Sequence, residues 1–216
     1  MMKRYLVSSL VLGLALGLGS VTASAQGTNA FEGRKIFNAY CFVCHGMEGK
    51  GNGPLAKQLP KKPANLSDNS KMMNRSDTQL FRIIQGSADH GIIREAMPRW
   101  DMALSDPQIK AVVAYVRVLH TPNLMGTGDP DNGKSLYERY CIACHGANGK
   151  GDGVLASVLS LKPADHTDAK NMASFSNAEL LKAIKEGTDK YMPAWKGVLS
   201  DKEMEDLVSY IRLLSN

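Results

Sequence analysis

Apolar residues recur at helical spacing along several segments of this chain, and each such segment would bury one face of a helix. Phe31, Ile36, Phe37 and Tyr40 share one face and predict a helix over residues 30–40. No stretch alternates apolar and polar residues in the manner of a β-strand. The pattern therefore predicts an all-α protein in which long Gly-, Pro-, Lys- and Asn-rich loops connect the helices.

Two further helices in each half are predicted from the residues at their ends. Middle helices over residues 78–85 and 179–186 each stop at a glycine, a common helix terminator. The last helix of each half begins with a capping box, in which a serine and a Gln or Glu three residues later satisfy each other's backbone N–H groups. The boxes are Ser105-Asp106-Pro107-Gln108 and Ser200-Asp201-Lys202-Glu203. Each half is therefore expected to contain three main helices.

The second half of the chain repeats the first. Matching segments follow in the same order: Gly49-Lys50-Gly51-Asn52-Gly53 with Gly149-Lys150-Gly151-Asp152-Gly153, Lys62-Pro63-Ala64-Asn65 with Lys162-Pro163-Ala164-Asp165, and Met97-Pro98-Arg99-Trp100 with Met192-Pro193-Ala194-Trp195. The first copy has an extra stretch around residues 88–94. Such duplication predicts two tandem domains, residues 26–121 and 131–216, joined by a Gly- and Pro-rich linker over residues 122–130.

Two glycines lie inside predicted first helices, where glycine costs about 1 kcal/mol relative to alanine. Gly33 and Gly133 occupy equivalent positions in the two copies. We expect another helix to approach closely there, namely the last helix of the same copy, which carries Tyr115 or Tyr210.

The N-terminus has basic, apolar and small-residue segments in the order typical of a secretory signal peptide. Lys3 and Arg4 precede an apolar run over residues 6–18, and Ala23-Ser24-Ala25 follows, with cleavage expected after Ala25. The alternative is an uncleaved anchor, but a helix over that run would span about 20 Å, short of the roughly 30 Å of hydrocarbon in a bilayer. Residues 1–25 therefore predict export to a bacterial periplasm, and no later stretch is apolar enough to cross a membrane.

All four cysteines lie in two pentapeptides, Cys41-Phe42-Val43-Cys44-His45 and Cys141-Ile142-Ala143-Cys144-His145. CxxCH is the attachment signal for c-type haem, whose vinyl groups form thioether bonds with the cysteines while the histidine binds iron. The alternatives are a zinc knuckle, a thioredoxin-like redox pair and a structural disulfide. Zinc needs four ligands at one site, a redox pair needs a βαβ setting, and a CxxC disulfide closes too short a loop to stabilise much. We therefore expect two covalently bound haem c groups.

The second axial ligand of each iron decides between electron transfer and catalysis, because a thioether closes the iron to small molecules. Met97 and Met192 are the candidates, since each precedes a proline that restricts it to an extended conformation. The alternative is that they fill the core, as most of the 11 methionines are expected to do. His90, in the extra loop, is a competing ligand for the first iron.

The remaining histidines have more ordinary expected roles. His120 and His166 have no histidine counterpart in the other copy and are expected to be surface or loop residues. The free ring N–H of His45 and His145 needs an acceptor, for which the carbonyl groups of Pro63 and Pro163 are candidates.

The charge is unevenly distributed. The formal net charge is +5, but residues 26–123 carry 13 Lys or Arg against 8 Asp or Glu, and residues 124–216 carry 11 against 13. No basic helix or basic run interleaved with aromatic residues indicates nucleic-acid binding. One hypothesis is that the asymmetry steers two different redox partners to two faces; the alternative is an ordinary solvated surface.

Each copy resembles a class I cytochrome c domain. The resemblance covers nearly all of residues 30–215 and rests on CxxCH, the Gly-Lys-Gly-Asx-Gly loop, the Pro-Ala-Asx segment, Met-Pro and a final Tyr-x-Arg-x-Leu helix. It implies an all-α fold, with iron bound by His45 and Met97 in the first domain and by His145 and Met192 in the second. The longer loop with His90 departs from the pattern, and the long interdomain segments of dihaem peroxidases are missing.

These observations predict a periplasmic dihaem cytochrome c that transfers single electrons between a donor and an acceptor protein. One alternative is a haem-bearing electron-transfer subunit of a periplasmic dehydrogenase or reductase complex. Association with a membrane respiratory complex is a further expectation for its partners. A second alternative is a dihaem enzyme such as a peroxidase, which generally requires an open or unusually ligated iron.

Overall fold

The computed structural model describes residues 29–87, 97–121, 125–188 and 191–215. The predicted signal peptide, the loop with His90 and part of the predicted linker lie outside these residues. Helices in the first half are α1 (Ala30–Ile36), α2 (Phe42–His45), α3 (Asn69–Met72), α4 (Asp77–Gln85) and α5 (Asp106–Leu119). Those in the second half are α6 (Pro130–Tyr140), α7 (Ile142–His145), α8 (Val154–Val158), α9 (Ala169–Ala173), α10 (Asn177–Glu186) and α11 (Asp201–Leu214).

The all-α prediction is confirmed for the described residues, in which an isolated bridge between Lys196 and Leu199 is the one β-type pairing. The three main helices expected in each copy are present, as α1, α4 and α5 and as α6, α10 and α11, whereas the short helices α3, α8 and α9 were not predicted. These helices have only four or five residues, too few for a helical period to show in the sequence.

The first helix differs from its prediction at its C-terminal end. After α1, residues Phe37–Cys41 form a π-helical turn, in which the backbone N–H of Phe42 donates to the carbonyl of Phe37. In the second copy the same stretch stays α-helical, and Cys141 N–H donates to Tyr137. Five residues are too few for the different period of a π-helix to show in the sequence, so the apolar pattern could not reveal this turn.

Both predicted capping boxes are present. The Ser105 N–H donates to Gln108 Oε1 at 2.9 Å, and the Ser200 N–H donates to Glu203 Oε2 at 2.8 Å. Pro107 lies in the first turn of α5, where an N–H group would have no helical partner. The two longest helices are therefore started by their own local sequence.

The close approach expected at the helical glycines is confirmed. A Cβ at Gly33 would lie 1.9 Å from the carbonyl oxygen of Ala111 in α5, and one at Gly133 would lie 2.0 Å from that of Asp206 in α11. The first helix of each copy therefore crosses the last helix of that copy in backbone contact.

The two halves also touch each other. The ring of Phe31 in α1 meets that of Tyr210 in α11 edge to face, with centroids 5.1 Å apart, and both side chains are buried. Arg34 forms an ion pair with Asp131 at the surface beside this contact. The described part of the predicted linker packs on the second half, since the Gly128 N–H donates to Ser209 Oγ at 2.9 Å. The exact domain bounds remain a prediction.

Candidate haem-attachment sites

Each CxxCH motif forms a short helix whose C-terminal end is held by the glycine-rich loop that follows. In the first copy the N–H groups of Gly51 and Gly53 donate to the carbonyl oxygens of His45 and Cys44 at 2.7 and 3.1 Å. A Cβ at Gly53 would lie 2.4 Å from the carbonyl oxygen of Phe42, so a side chain cannot fit there. The second copy repeats these bonds at 2.8 and 3.0 Å. The loop therefore holds the histidine and second cysteine of each motif in place.

The two motif histidines are oriented alike. Nδ1 of His45 lies 3.1 Å from the carbonyl oxygen of Ala64, and Nδ1 of His145 lies 3.1 Å from that of Ala164. A carbonyl oxygen can only accept, so Nδ1 is the donor and the lone pair of Nε2 is left for a metal. The expectation that Pro63 and Pro163 would be these acceptors was wrong by one residue.

The proline carbonyl groups point elsewhere. A Cβ at Gly51 would lie 2.4 Å from the carbonyl oxygen of Pro63, and one at Gly151 would lie 2.6 Å from that of Pro163. These oxygens therefore face the glycine-rich loops, and the next carbonyl along each chain turns towards the histidine ring.

Burial keeps the motif histidines neutral. It lowers the pKa of His45 and of His145 below the ordinary value of 6.5, outweighing the opposite effect of the bonds to the alanine carbonyl groups. Only a neutral imidazole has a lone pair to offer to iron, so the surroundings favour the ligating form.

The cysteines do not have the character of a redox pair. Cys41, Cys44, Cys141 and Cys144 are half-buried and form no disulfide with one another. Burial, with a smaller contribution from the second cysteine of the motif, raises the pKa of Cys41 and of Cys141 to about 12. Redox-active CxxC motifs instead lower the pKa of one thiol. The thioredoxin-like alternative is thus disfavoured.

The loops that begin at Met97 and Met192 are held at equivalent places. The Trp100 N–H donates to the carbonyl of Ile84 at 3.2 Å, and the Trp195 N–H donates to that of Ile184 at 3.1 Å. Both methionines are half-buried, and Met97 packs against the core of its own copy.

Aromatic pairs connect these loops to the attachment motifs. The ring of Trp100 lies 5.7 Å from that of Tyr40, which immediately precedes Cys41, and Trp195 lies 5.2 Å from Tyr140. Each methionine loop is therefore tied to the residue before the first cysteine of its own copy. The assignment of the two methionines as ligands remains a proposal.

Sequence reasoning missed two buried histidines. His120 is only 6% exposed, and its Nδ1 lies 3.0 Å from Asn69 Oδ1, because the end of α5 packs over the start of α3. His166 is 9% exposed, and its ring is stacked on that of His145 with centroids 4.4 Å and planes 16° apart. Both residues lie in turns outside the helices, as expected of loop residues, but the expectation of surface positions was wrong. Aligning the two copies places Leu66 opposite His166, a signal that this position is buried.

An unpartnered polar atom tests whether the second site suits a haem. The indole N–H of Trp195 is buried and has no hydrogen-bond acceptor among the described residues. Burying such a donor unpaired is costly unless a ligand provides the acceptor. A haem propionate is an acceptor of this kind, so the residues present fit the group.

Residues 28–116 and again residues 128–211 match the protein family described as cytochrome c oxidase, cbb3-type, subunit III. The chain belongs to this family. The two matches mean that it contains two cytochrome c domains, and each binds a covalently attached haem c. Within the described residues, no helix combines the length and apolar character needed to cross a membrane.

Curated relatives match most of this chain. It is 27% identical over 188 residues to the cbb3-type cytochrome c oxidase subunit FixP of Bradyrhizobium diazoefficiens, covering 85% of this chain and 60% of the relative. It is 30% identical over 190 residues to FixP of Azorhizobium caulinodans, covering 85% and 59%. The chain thus spans about three fifths of the length of these relatives.

Among solved structures, a Kuenenia stuttgartiensis reducing HAO-like protein complex is similar, with 25% identity. The match covers 89% of this chain and 99% of that one, at a TM-score of 0.37. Because this score lies below 0.5, the family assignment depends on the sequence match.

Proposed function

We propose that this chain is a periplasmic dihaem cytochrome that passes single electrons between respiratory redox proteins. The observation that carries the proposal is the orientation of His45 and His145. Each donates its Nδ1–H to an alanine carbonyl and keeps Nε2 available beside a pair of cysteines.

Met97 and Met192 complete the proposed ligand sets. His45 with Met97 would bind one iron, and His145 with Met192 would bind the other. Haem supplies one-electron chemistry when bound. The tasks of the chain are to hold the group through Cys41, Cys44, Cys141 and Cys144, to orient the two histidines, and to close each iron with a thioether. An iron that small molecules cannot reach favours an electron-transfer role over an enzymatic one.

Relatives named as subunits of cbb3-type cytochrome c oxidases support a membrane respiratory complex as the partner. The chain would act there as a mobile carrier or as a bound subunit. The positive first half and slightly acidic second half would present different faces to donor and acceptor. Reaction rates with the two partners should then respond differently to salt, and rates that do not change with salt would contradict steering.

An optical redox titration with pyridine haemochrome counting tests the ligand sets. We expect two haems per chain and the red absorption band of iron–thioether ligation. Met97→Ala and Met192→Ala should each remove about half of that band. Met102→Ala is the matched control, because Met102 is 87% exposed and should not affect the band. A wild-type protein with two haems but no such band would contradict methionine ligation.

Three further measurements separate the alternatives. Carbon monoxide binding readily at one reduced iron would favour an enzyme over a carrier. Co-purification with a catalytic subunit would favour a bound subunit. A mature chain that begins at Gln26 would support export, whereas retention of residues 1–25 would contradict the predicted cleavage.

A further inference from the structure

The loop beside each motif histidine has the same backbone hydrogen bond in both copies. The N–H groups of Leu66 and His166 each donate to the carbonyl of the loop glycine, Gly49 or Gly149, at 2.6 Å. A Cβ on that glycine would lie 3.2 Å from Leu66 Cβ and 3.3 Å from His166 Cβ. His166 therefore occupies the place in the second site that Leu66 occupies in the first.

A second difference lies beside the first. Phe37 lies 6.5 Å from the ring of His45, and Tyr137 lies 6.5 Å from the ring of His145, at similar tilts of 45° and 51°. The two aromatic rings are therefore equivalent, and the hydroxyl group of Tyr137 is what the second site adds.

Tyr137 and His166, the residues responsible for these two differences, contact each other. The hydroxyl oxygen of Tyr137 lies 3.0 Å from Nδ1 of His166, a hydrogen bond between two buried side chains. The ring of His166 is also stacked on that of His145. Leu66 and Phe37 can form neither the hydrogen bond nor the stacked pair of imidazoles. One motif histidine thus has apolar neighbours, and the other has a buried polar pair against its face.

We propose that Tyr137 and His166 lower the reduction potential of the second haem below the value that the surroundings of the first site would give it. The inference rests on the proposed function, in which His145 is an axial ligand. Ferric haem carries one more positive charge than ferrous haem, so polar side chains near the ligand stabilise the ferric state more than apolar ones do. Tyr137 and His166 are positioning residues that act through His145.

The consequence is that the duplicated domains are not interchangeable. The pair biases the second haem towards giving up its electron and, relative to a symmetric protein, favours transfer from the second domain to the first. Two side chains that differ between the copies, Tyr137 and His166, introduce this bias, because the loop hydrogen bonds beside the motif histidines are the same in both sites.

Potentiometric titration of the purified holoprotein tests the proposal, with each variant copying the other site. His166→Leu should raise one of the two potentials and leave the other unchanged, and Tyr137→Phe should raise the same one by less. Leu66→His should lower the other potential. If His166→Leu retains two haems and the thioether band but shifts neither potential, or lowers one, the proposal is wrong. If His166→Leu fails to assemble, Tyr137→Phe decides alone: a rise supports the proposal and no change overturns it.

A charged neighbour needs its own control. Asp165 precedes His166, whereas the first copy has Asn65, and both side chains accept a hydrogen bond from the backbone two residues later. The rise caused by His166→Leu must therefore persist in an Asp165→Asn background; if it vanishes, the carboxylate carried the effect and the proposal fails. Absence of the thioether band from the wild-type protein would instead count against the proposed ligand sets, a separate result.

Discussion

Gly33 in α1 lies against the carbonyl group of Ala111 in α5 so closely that a Cβ would be 1.9 Å from its oxygen. Alanine normally favours a helix over glycine, but here Gly33→Ala would force the two backbones apart. We expect a loss of about 1–3 kcal/mol in the free energy of unfolding, the usual cost of overpacking. Urea denaturation of the holoprotein measures it.

Lys110→Ala is the control for this variant, because Lys110 is exposed on the same helix as Ala111. It should change the free energy of unfolding by no more than about 0.5 kcal/mol. A stabilising effect of Gly33→Ala would mean that the helices do not cross in backbone contact at this point.

Arg212 of α11 ties three separate acceptors together inside the second domain. It is fully buried and donates to the carbonyl groups of Met172 and Phe175 and to Asn177 Oδ1. Arg212→Lys cannot satisfy this set, because an ammonium group lacks the planar fork of a guanidinium group. We expect a loss of about 3 kcal/mol or more, since buried acceptors are left unpaired. Chemical denaturation measures the loss.

Arg117 in the first domain is the matched comparison. It donates to the carbonyl groups of Met72 and Arg75, but its third partner is the exposed carboxylate of Asp77, and its side chain is 23% exposed. Arg117→Lys should therefore lower the free energy of unfolding less than Arg212→Lys does, because water can replace part of the lost hydrogen bonds. Equal costs would contradict the assigned role of burial.

Asp206 makes the stability of the second domain depend on pH. Its carboxylate accepts from the N–H of Asp129, from Asn132 Nδ2 and from Lys202 Nζ. Burial alone would raise the pKa of Asp206, but these partners outweigh it and hold the pKa below the ordinary 3.8. The unfolded chain therefore takes up the proton first as pH falls, and the stabilisation, present above the ordinary pKa, is lost below it.

Asp206→Asn removes this contribution. We expect it to lower the free energy of unfolding by about 2 kcal/mol near neutral pH. The difference from wild type should shrink as the pH is lowered from about 6 to about 3, since other carboxyl groups titrate equally in both proteins. Asp201→Asn, on the exposed start of α11, is the control. A difference that grows on acidification would contradict the direction of the pKa shift.

Phe31 joins the two halves through its edge-to-face contact with Tyr210. Phe31→Ala should cost about 3 kcal/mol or more, as for other buried phenylalanines. Since the contact crosses between the halves, it should also separate their thermal unfolding into two transitions, which calorimetry detects. Asp131→Asn, which breaks the surface ion pair with Arg34, should cost less than about 1 kcal/mol. Unfolding of the Phe31→Ala protein in one transition would contradict coupling through this ring.

Features that depend on neighbours along the chain could be predicted from the amino-acid sequence. The capping boxes at Ser105 and Ser200 lie within one helical turn, so a few residues specify them. The repeated CxxCH motifs identified the haem-attachment points. Gly33 and Gly133 indicated the helix crossings, because glycine inside a helix lowers stability unless another helix approaches closely there. The duplication predicted two tandem domains, the resemblance implied that each is a cytochrome c domain, and the family match confirms both.

Contacts between groups that face each other across the loops could not be predicted and are seen in the folded chain. The carbonyl group that holds His45 belongs to Ala64 rather than Pro63, because the Pro63 carbonyl group faces the loop glycine Gly51. Likewise, the sequence does not show that the loop residue His166 lies against His145 and Tyr137, which are 21 and 29 positions away. Such contacts arise from packing between distant segments, and no local period or propensity encodes them.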